Sequence, residues 1–259
     1  MPVTFTIGFI CHNDFDLLEK TIPQNLHAIC KDTKESYDVI LVVDGAEGID
    51  PSRFLDSVPR WGIDEVRFRW RLRNCAGGDP SNNGHLHILS NKTPYLLTLE
   101  GDVVLFKTDS SFDILAEFRA LFERHENLAL ATCMDDYDCW VWKLKDVGPA
   151  FELGVQSVNR LSSHFLVYNT ERFCKYFIGN KRLSPDLFYE DSKGWFNYED
   201  LLSTTFAYPA GPGIAFVKAF PIKVYHCDIK VEPGSVDYTK DLQIKINEFE
   251  RRKQELKKE

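Results

Sequence analysis

The chain of 259 residues lacks several features that would assign it to other classes of protein. It contains no run of about eighteen apolar residues, so no transmembrane helix is expected. Its N-terminus lacks the basic start and apolar core of a signal peptide. The seven cysteines are an odd number and form no C-x-x-C pair, which favours reduced thiols over a disulfide framework or a zinc site. These absences predict a cytoplasmic protein.

The chain also lacks an excess of positive charge: acidic residues outnumber basic ones, and the formal net charge is -8. This balance argues against a nucleic-acid partner. It does not exclude a phosphorylated ligand, because a metal ion and a few arginines can offset the local field. Hydrophobic residues make up 44% of the chain, which is enough for one large α/β domain or two small ones.

The first 45 residues have the pattern of a strand, a helix and a second strand. Apolar residues alternate over 3–9 and then recur at helical spacing over 18–29. Val39–Val43 follows as a buried strand, and it ends at Asp44. The order predicts a βαβ unit. Asp44 would lie at the carboxyl end of the second strand, where such folds place a nucleotide base or ribose.

The stretch from Pro94 to Asp102 organises the rest of the chain. Residues 95–99 form a mostly apolar run, typical of a strand buried on both faces of a parallel sheet. It ends in two acids around a glycine, Glu100-Gly101-Asp102. Buried acids at a strand end require a cation, and a divalent metal that carries a phosphate is the obvious candidate. The alternative is that both acids are turn and helix-capping residues.

An arginine-rich strand precedes this stretch. Apolar residues alternate with arginines over 66–73, which predicts a half-buried strand with an arginine face. Most of these arginines suit a solvated sheet edge. Arg73, nearest the end of the strand, could reach a diphosphate. Asn83 and Gly84 then open a short predicted helix.

In this order the motifs resemble the nucleotide-binding half of the family 2 glycosyltransferases, which have the GT-A fold. The motifs are the first strand with its polar turn, Val-Val-Asp44-Gly, Asn83-Gly84 and Leu-Thr-Leu-Glu100-Gly-Asp102. The resemblance covers residues 3–107 well and the remainder loosely. Two departures are a glycine in place of a second acid after Asp44, and a glutamate as the first acid of the D-x-D motif.

The resemblance implies a set of donor-site residues. Asp44 would contact the base of a nucleotide-sugar, with Arg73, Asn83 and Glu100 also in the donor site. Asp102 would hold a divalent cation, Mn²⁺ or Mg²⁺, on the diphosphate. Magnesium and manganese prefer oxygen ligands and act as Lewis acids on a leaving phosphate.

The second half of the chain supplies the remaining candidates. Glu199-Asp200 opens a predicted helix, and in the resembled family such a pair supplies the catalytic base that an inverting transfer needs. Asp200 is the first candidate and Glu199 the second. The alternative is that both merely favour the helix dipole. Many GT-A enzymes take a further metal ligand from a C-terminal histidine, which implies His226; the alternative is a structural histidine.

The sequence thus predicts a single α/β domain of GT-A type, with a Rossmann-like, mixed, mainly parallel sheet flanked by helices. We expect the domain to span 1–235, with a nucleotide-sugar half (1–107) and an acceptor half (108–235). A charged amphipathic helix is expected over 236–259, beginning near Asp237, where it either packs on the body or supports a homodimer.

The predicted function is metal-dependent transfer of a sugar from a UDP- or GDP-sugar to a glycan or another hydroxyl compound. The alternatives are a sugar-1-phosphate nucleotidyltransferase and a non-catalytic glycan-binding protein. The polar turn after the first strand lacks the glycine-rich phosphate loop of the nucleotidyltransferases.

Overall fold

The computed structural model of the chain describes residues 2–11, 14–44, 50–69, 93–133, 146–179, 198–209, 211–227, 229–232, 235–237 and 242–256. Its strands are β1 (Phe5–Cys11), β2 (Tyr37–Asp44), β3 (Glu65–Arg69), β4 (Tyr95–Glu100), β5 (Val103–Lys107), β6 (Leu130–Thr132), β7 (Val155–Val158), β8 (Phe165–Asn169), β9 (Ile214–Val217), β10 (Ile222–His226), β11 (Ile229–Glu232) and β12 (Ser235–Asp237). Its helices are α1 (Phe15–Cys30), α2 (Pro51–Trp61), α3 (Ile114–Arg124), α4 (Thr170–Gly179), α5 (Tyr198–Phe206) and α6 (Leu242–Glu255).

Eight of the described strands form one mixed sheet in the order β3-β2-β1-β4-β8-β6-β9-β7. Strands β3, β2, β1 and β4 run parallel, and β6 runs parallel to β9. Strand β8 is antiparallel to both β4 and β6, and β7 is antiparallel to β9. The predicted fold class, a single α/β domain with a mixed, mainly parallel sheet flanked by helices, is confirmed.

Burial on both faces explains why the central strands have continuous apolar sequences. Every residue of β1 is buried. In β2, Val39, Leu41 and Val43 pack into one hydrophobic cluster, while Ile40 and Val42 pack into the cluster on the opposite face. Successive side chains of a strand point to opposite faces, so a strand covered on both sides needs apolar residues throughout.

The chain leaves the main sheet directly after β4. A tight turn at Gly101–Asp102 leads into β5, which pairs with β10 in a separate two-stranded antiparallel sheet. In this pairing His226 lies opposite Val103. The last residue of β10 is therefore held beside the turn that follows β4.

The C-terminal helix begins later than the sequence predicts. Asp237, the expected start, lies in β12, and α6 spans Leu242–Glu255. Phe249 is 1% exposed and packs in a cluster with Leu17 and Val104. The helix therefore packs on the body, which was one of the two alternatives; a homodimer through it stays a prediction.

None of the helices among the described residues is both long enough and apolar enough to cross a bilayer.

Candidate active site

A cleft opens at the carboxyl end of the parallel strands, between β1 and β4. In the sheet, β1 lies between β2 and β4. Strand β2 follows β1 directly in the chain, whereas β4 comes later and pairs with the opposite edge of β1. Open α/β sheets bind ligands at such a reversal of strand order. The cleft is lined by the ends of the two strands together with Asp14, Leu18, Asp102 and Lys245. The fold thus brings α1, β1, β4 and α6 together around one small space.

The turn after β4 is fixed by hydrogen bonds and by close packing. The amide of Gly101 donates to the carbonyl of Ile10 at 2.7 Å, and Thr21 Oγ1 donates to the carbonyl of Gly101 at 2.7 Å. A Cβ atom at Gly101 would overlap Cδ2 of Leu18 and lie 3.0 Å from Cβ of Cys11. A larger residue here would require the buried side chain of Leu18 to move, which favours glycine between the two acids.

Asp102 meets two basic side chains from distant parts of the chain. Its Oδ2 lies 2.7 Å from Nζ of Lys245, and its Oδ1 lies 3.2 Å from Nε2 of His226. The carboxylate side chain is 16% exposed. Burial by itself would raise the pKa of Asp102, but the charge and hydrogen bond of His226, followed by the charges of Lys245 and His164, hold it well below its usual value. Asp102 is therefore an ionised group in this cleft.

Glu100 pairs with a histidine that lies on the other side of β4. Its Oε2 is 2.6 Å from Nδ1 of His164, and Ser163 Oγ donates to its Oε1 at 3.1 Å. The amide of Glu100 also donates to the carbonyl of His164, at 3.1 Å. The rings of His164 and His226 have centroids 4.3 Å apart. The two acids of the turn thus each contact one of two adjacent histidines.

Glu100, His164 and His226 form a set that could hold a metal ion. One ligand atom from each lies within 4.8 Å of the others. Two imidazoles and one carboxylate are a mixed donor set, which suits a transition ion better than Mg²⁺, an ion that prefers oxygen ligands only. The chemistry of the donors therefore fits a divalent transition ion. This grouping differs from the pair suggested by the sequence, Asp102 with His226.

The other predicted site residues are only partly described. Asp44 ends β2 and is paired in register with Arg69, but its side chain lies outside the described residues. Glu199 and Asp200 lie in the first turn of α5, again without described side chains. Arg73 and Asn83 fall outside the described residues altogether. Their assignments remain predictions.

Sequence reasoning missed two partners of the acids that line the cleft, His164 and Lys245. His164 precedes β8, and it reaches Glu100 because β8 pairs antiparallel with β4. Lys245 lies 143 residues from Asp102 in the sequence. For His164 the sequence offers one signal, a polar Ser-Ser-His segment directly before an apolar strand. For Lys245 the local sequence shows only one more charged position on an amphipathic helix.

The architecture is that of the GT-A glycosyltransferases. No family model and no curated protein matches the chain. Among solved structures, S. aureus TarS residues 1-349 in complex with UDP-GlcNAc has a TM-score of 0.52 and 15% identity, over 92% of this chain and 62% of that one. The same protein in complex with UDP has a TM-score of 0.50 and 14% identity, over 85% and 60% of the two chains.

The similarity is one of fold, because the identities are low. The chain spans about 60% of the length of these TarS structures. A more distant neighbour is mouse xyloside xylosyltransferase 1, with a TM-score of 0.42 and 10% identity, over 71% of this chain and 73% of that one.

Proposed function

We propose that the chain is a glycosyltransferase that moves a sugar from a nucleotide-sugar to an acceptor hydroxyl. The observation that carries this proposal is the convergence of Glu100, Asp102, His164 and His226 at the point where the strand order reverses. This is where open α/β sheets bind nucleotides. The TarS structures that hold UDP and UDP-GlcNAc share the fold, which supports UDP as the nucleotide of the donor.

The chemistry of the site suits the departure of a nucleoside diphosphate. A diphosphate is a good leaving group only when its developing negative charge is stabilised. Glu100, His164 and His226 would hold a divalent cation, and Mn²⁺ is proposed because it is the transition ion of the two, Mn²⁺ and Mg²⁺, that the resemblance implies. When bound, the cation would supply Lewis-acid stabilisation of the leaving group. Asp102 lies next to this set and orients His226 through the contact at 3.2 Å.

The acceptor half of the reaction is assigned to α5. We propose Asp200 as the base that deprotonates the acceptor hydroxyl, with Glu199 second, so that transfer inverts the anomeric centre. Asp44, Arg73 and Asn83 are proposed as donor contacts in the nucleotide-sugar half (1–107), with the acceptor in 108–235. Adjacent residues of a helix point in different directions, so only one of the two acids can face the reacting hydroxyl.

A binding and turnover experiment tests the donor and the metal together. We expect UDP-sugars, tested beside GDP-sugars, to be turned over with Mn²⁺ and to lose turnover in a chelator. Substituting a ligand of the set, His164→Ala, should weaken Mn²⁺ binding by at least about 10–100-fold, the range found for residues that only support a metal ligand. The measurement is titration of free Mn²⁺ by electron paramagnetic resonance.

His125→Ala is the matched control, because His125 pairs with Glu152 on another part of the surface. It should leave Mn²⁺ binding unchanged. Equal Mn²⁺ affinity in the His164→Ala and wild-type proteins would remove the metal assignment. A wild-type protein that hydrolyses or transfers no nucleotide-sugar would remove the enzyme assignment.

The base is tested by a pair of neighbouring isosteric variants. We expect Asp200→Asn to lower the rate of transfer by about 10²–10⁴-fold, the usual contribution of a general base, with little effect on UDP binding. Glu199→Gln should have a much smaller effect. The reverse order of the two losses would move the base to Glu199.

A further inference from the structure

Lys245 of α6 is a nearly buried lysine at the edge of the cleft. Its Nζ lies 2.7 Å from Oδ2 of Asp102 and 3.6 Å from Oδ2 of Asp14, and its side chain is 12% exposed. Removing an ammonium group from water to this extent is costly unless it is paired. The chain places this charge at the predicted diphosphate position, directly beside the Gly101 turn.

The charge balance of the cleft shows why this lysine matters for an anionic ligand. Three carboxylates line the cleft, those of Asp14, Glu100 and Asp102. Among the described lining residues Lys245 supplies the positive charge. Leaving the two histidines out of the count, three carboxylates and one ammonium carry two net negative charges, and without the ammonium the carboxylates carry three. A divalent cation cancels two negative charges, so without Lys245 the cleft would stay negative and repel a diphosphate, whereas with Lys245 it becomes neutral.

The lysine is held in place by the way α6 packs. Phe249 lies one turn further along the same helix face and is 1% exposed, in a cluster with Leu17. Glu250 of α6 forms an ion pair with Lys20 of α1, with 2.9 Å between Nζ and Oε1. The helix is therefore anchored on α1, and the ammonium of Lys245 is positioned before any ligand arrives. A charge that is already positioned loses less conformational entropy when it binds.

We infer that Lys245 binds the diphosphate of the nucleotide-sugar, so that the C-terminal helix α6 is part of the donor site. This inference rests on the proposed function and extends it to a helix that the sequence assigned only to packing or dimerisation. Asp102 and Asp14 act as positioning residues for the ammonium. Glu100, His164 and His226 remain the metal ligands.

Calorimetric titration with UDP and with inorganic pyrophosphate, both in the presence of Mn²⁺, tests the inference. In Lys245→Met we expect both ligands to bind about 10- to 100-fold more weakly, because a hydrogen bond between charged groups is lost. Mn²⁺ binding alone should persist, since Lys245 is not in the metal set. The matched control is Lys20→Met, which loses the other lysine ion pair between α1 and α6 and should bind both ligands like the wild-type protein.

If Lys245→Met does not fold, because Asp102 has lost its partner, Asp102→Asn is compared with the double variant Asp102→Asn/Lys245→Met. Both of these lack the buried carboxylate, and the double variant should again bind pyrophosphate at least about tenfold more weakly. Unchanged or tighter binding without Lys245 would overturn the inference and leave the proposed function intact. A wild-type protein that binds neither UDP nor pyrophosphate with Mn²⁺ would overturn both.

Discussion

The side chain of Asn25 forms hydrogen bonds with the backbone of β5, as a neighbouring strand would. Removing its amide should measurably destabilise the protein. Asn25 is fully buried in α1. Its Nδ2 donates to the carbonyl of Val103 at 2.8 Å, and its Oδ1 accepts from the amide of Leu105 at 2.7 Å. Strand β5 pairs with β10 on one edge, so this amide satisfies backbone groups on the other edge. Asn25→Leu keeps a side chain of similar length and removes both hydrogen bonds.

The expected cost follows from the two backbone groups that lose their partner. Each buried, unsatisfied group costs about 1–3 kcal/mol, so the pair costs roughly 2–6 kcal/mol. Burying the leucine offsets about 1.5–3 kcal/mol. With the middle of each range, about 4 and about 2 kcal/mol, the net loss is roughly 2 kcal/mol, a large part of the 5–15 kcal/mol that stabilises a typical protein.

Urea unfolding followed by circular dichroism measures this free energy. Asn247→Leu is the control, because it is the same substitution at an exposed position, in α6. It should change the free energy of unfolding by no more than about 0.5 kcal/mol. If Asn25→Leu is no more destabilising than this control, the amide does not take the place of a strand and the reasoning is wrong.

Two further predictions concern the turn after β4 and the partly buried thiol of Cys30. Gly101→Ala should lower the free energy of unfolding by about 1–3 kcal/mol, because the added methyl group overlaps Leu18, and the penalty should shrink in the Leu18→Ala background. An unchanged unfolding midpoint would show that the turn has room to move. Burial raises the pKa of the Cys30 thiol to about 12, with a hydrogen bond from Tyr37 opposing the shift and the charge of Asp113 adding to it. At pH 8 iodoacetamide should therefore label Cys30 on the order of a thousandfold more slowly in the native protein than in urea, as measured by peptide mass spectrometry. Similar rates in the two states would contradict the buried environment.

Much of the fold of the first half of the chain could be predicted because its signals are local. Apolar runs in residues 39–43 and 95–99 correspond to strands that are buried on both faces, and both lie in the main sheet. The carboxyl ends of parallel strands share one edge of a sheet, so acids that follow such runs are expected there. Glu100 and Asp102 do border the cleft at that edge.

Two partners of those acids, His164 and Lys245, could not be predicted because they arrive through non-local pairing, and His226 was named only through the family resemblance. His164 meets Glu100 through the antiparallel contact of β8 with β4, which no local pattern specifies. His226 reaches Asp102 because β5 leaves the sheet and pairs with β10. The sequence alone favoured Asp102 as a metal ligand, which stays a prediction, and in the structure Asp102 contacts Lys245 and His226.

The sequence by itself determined the βαβ order, the buried strands and the acids at their ends, because periodicity and turn residues act over a few neighbouring positions. Only the tertiary structure decided which basic groups neutralise those acids. A buried carboxylate requires a cation but does not specify where in the chain it comes from. In this protein the packing of β8, β10 and α6 determines which basic residues contact the two acids, because it places His164, His226 and Lys245 around one turn.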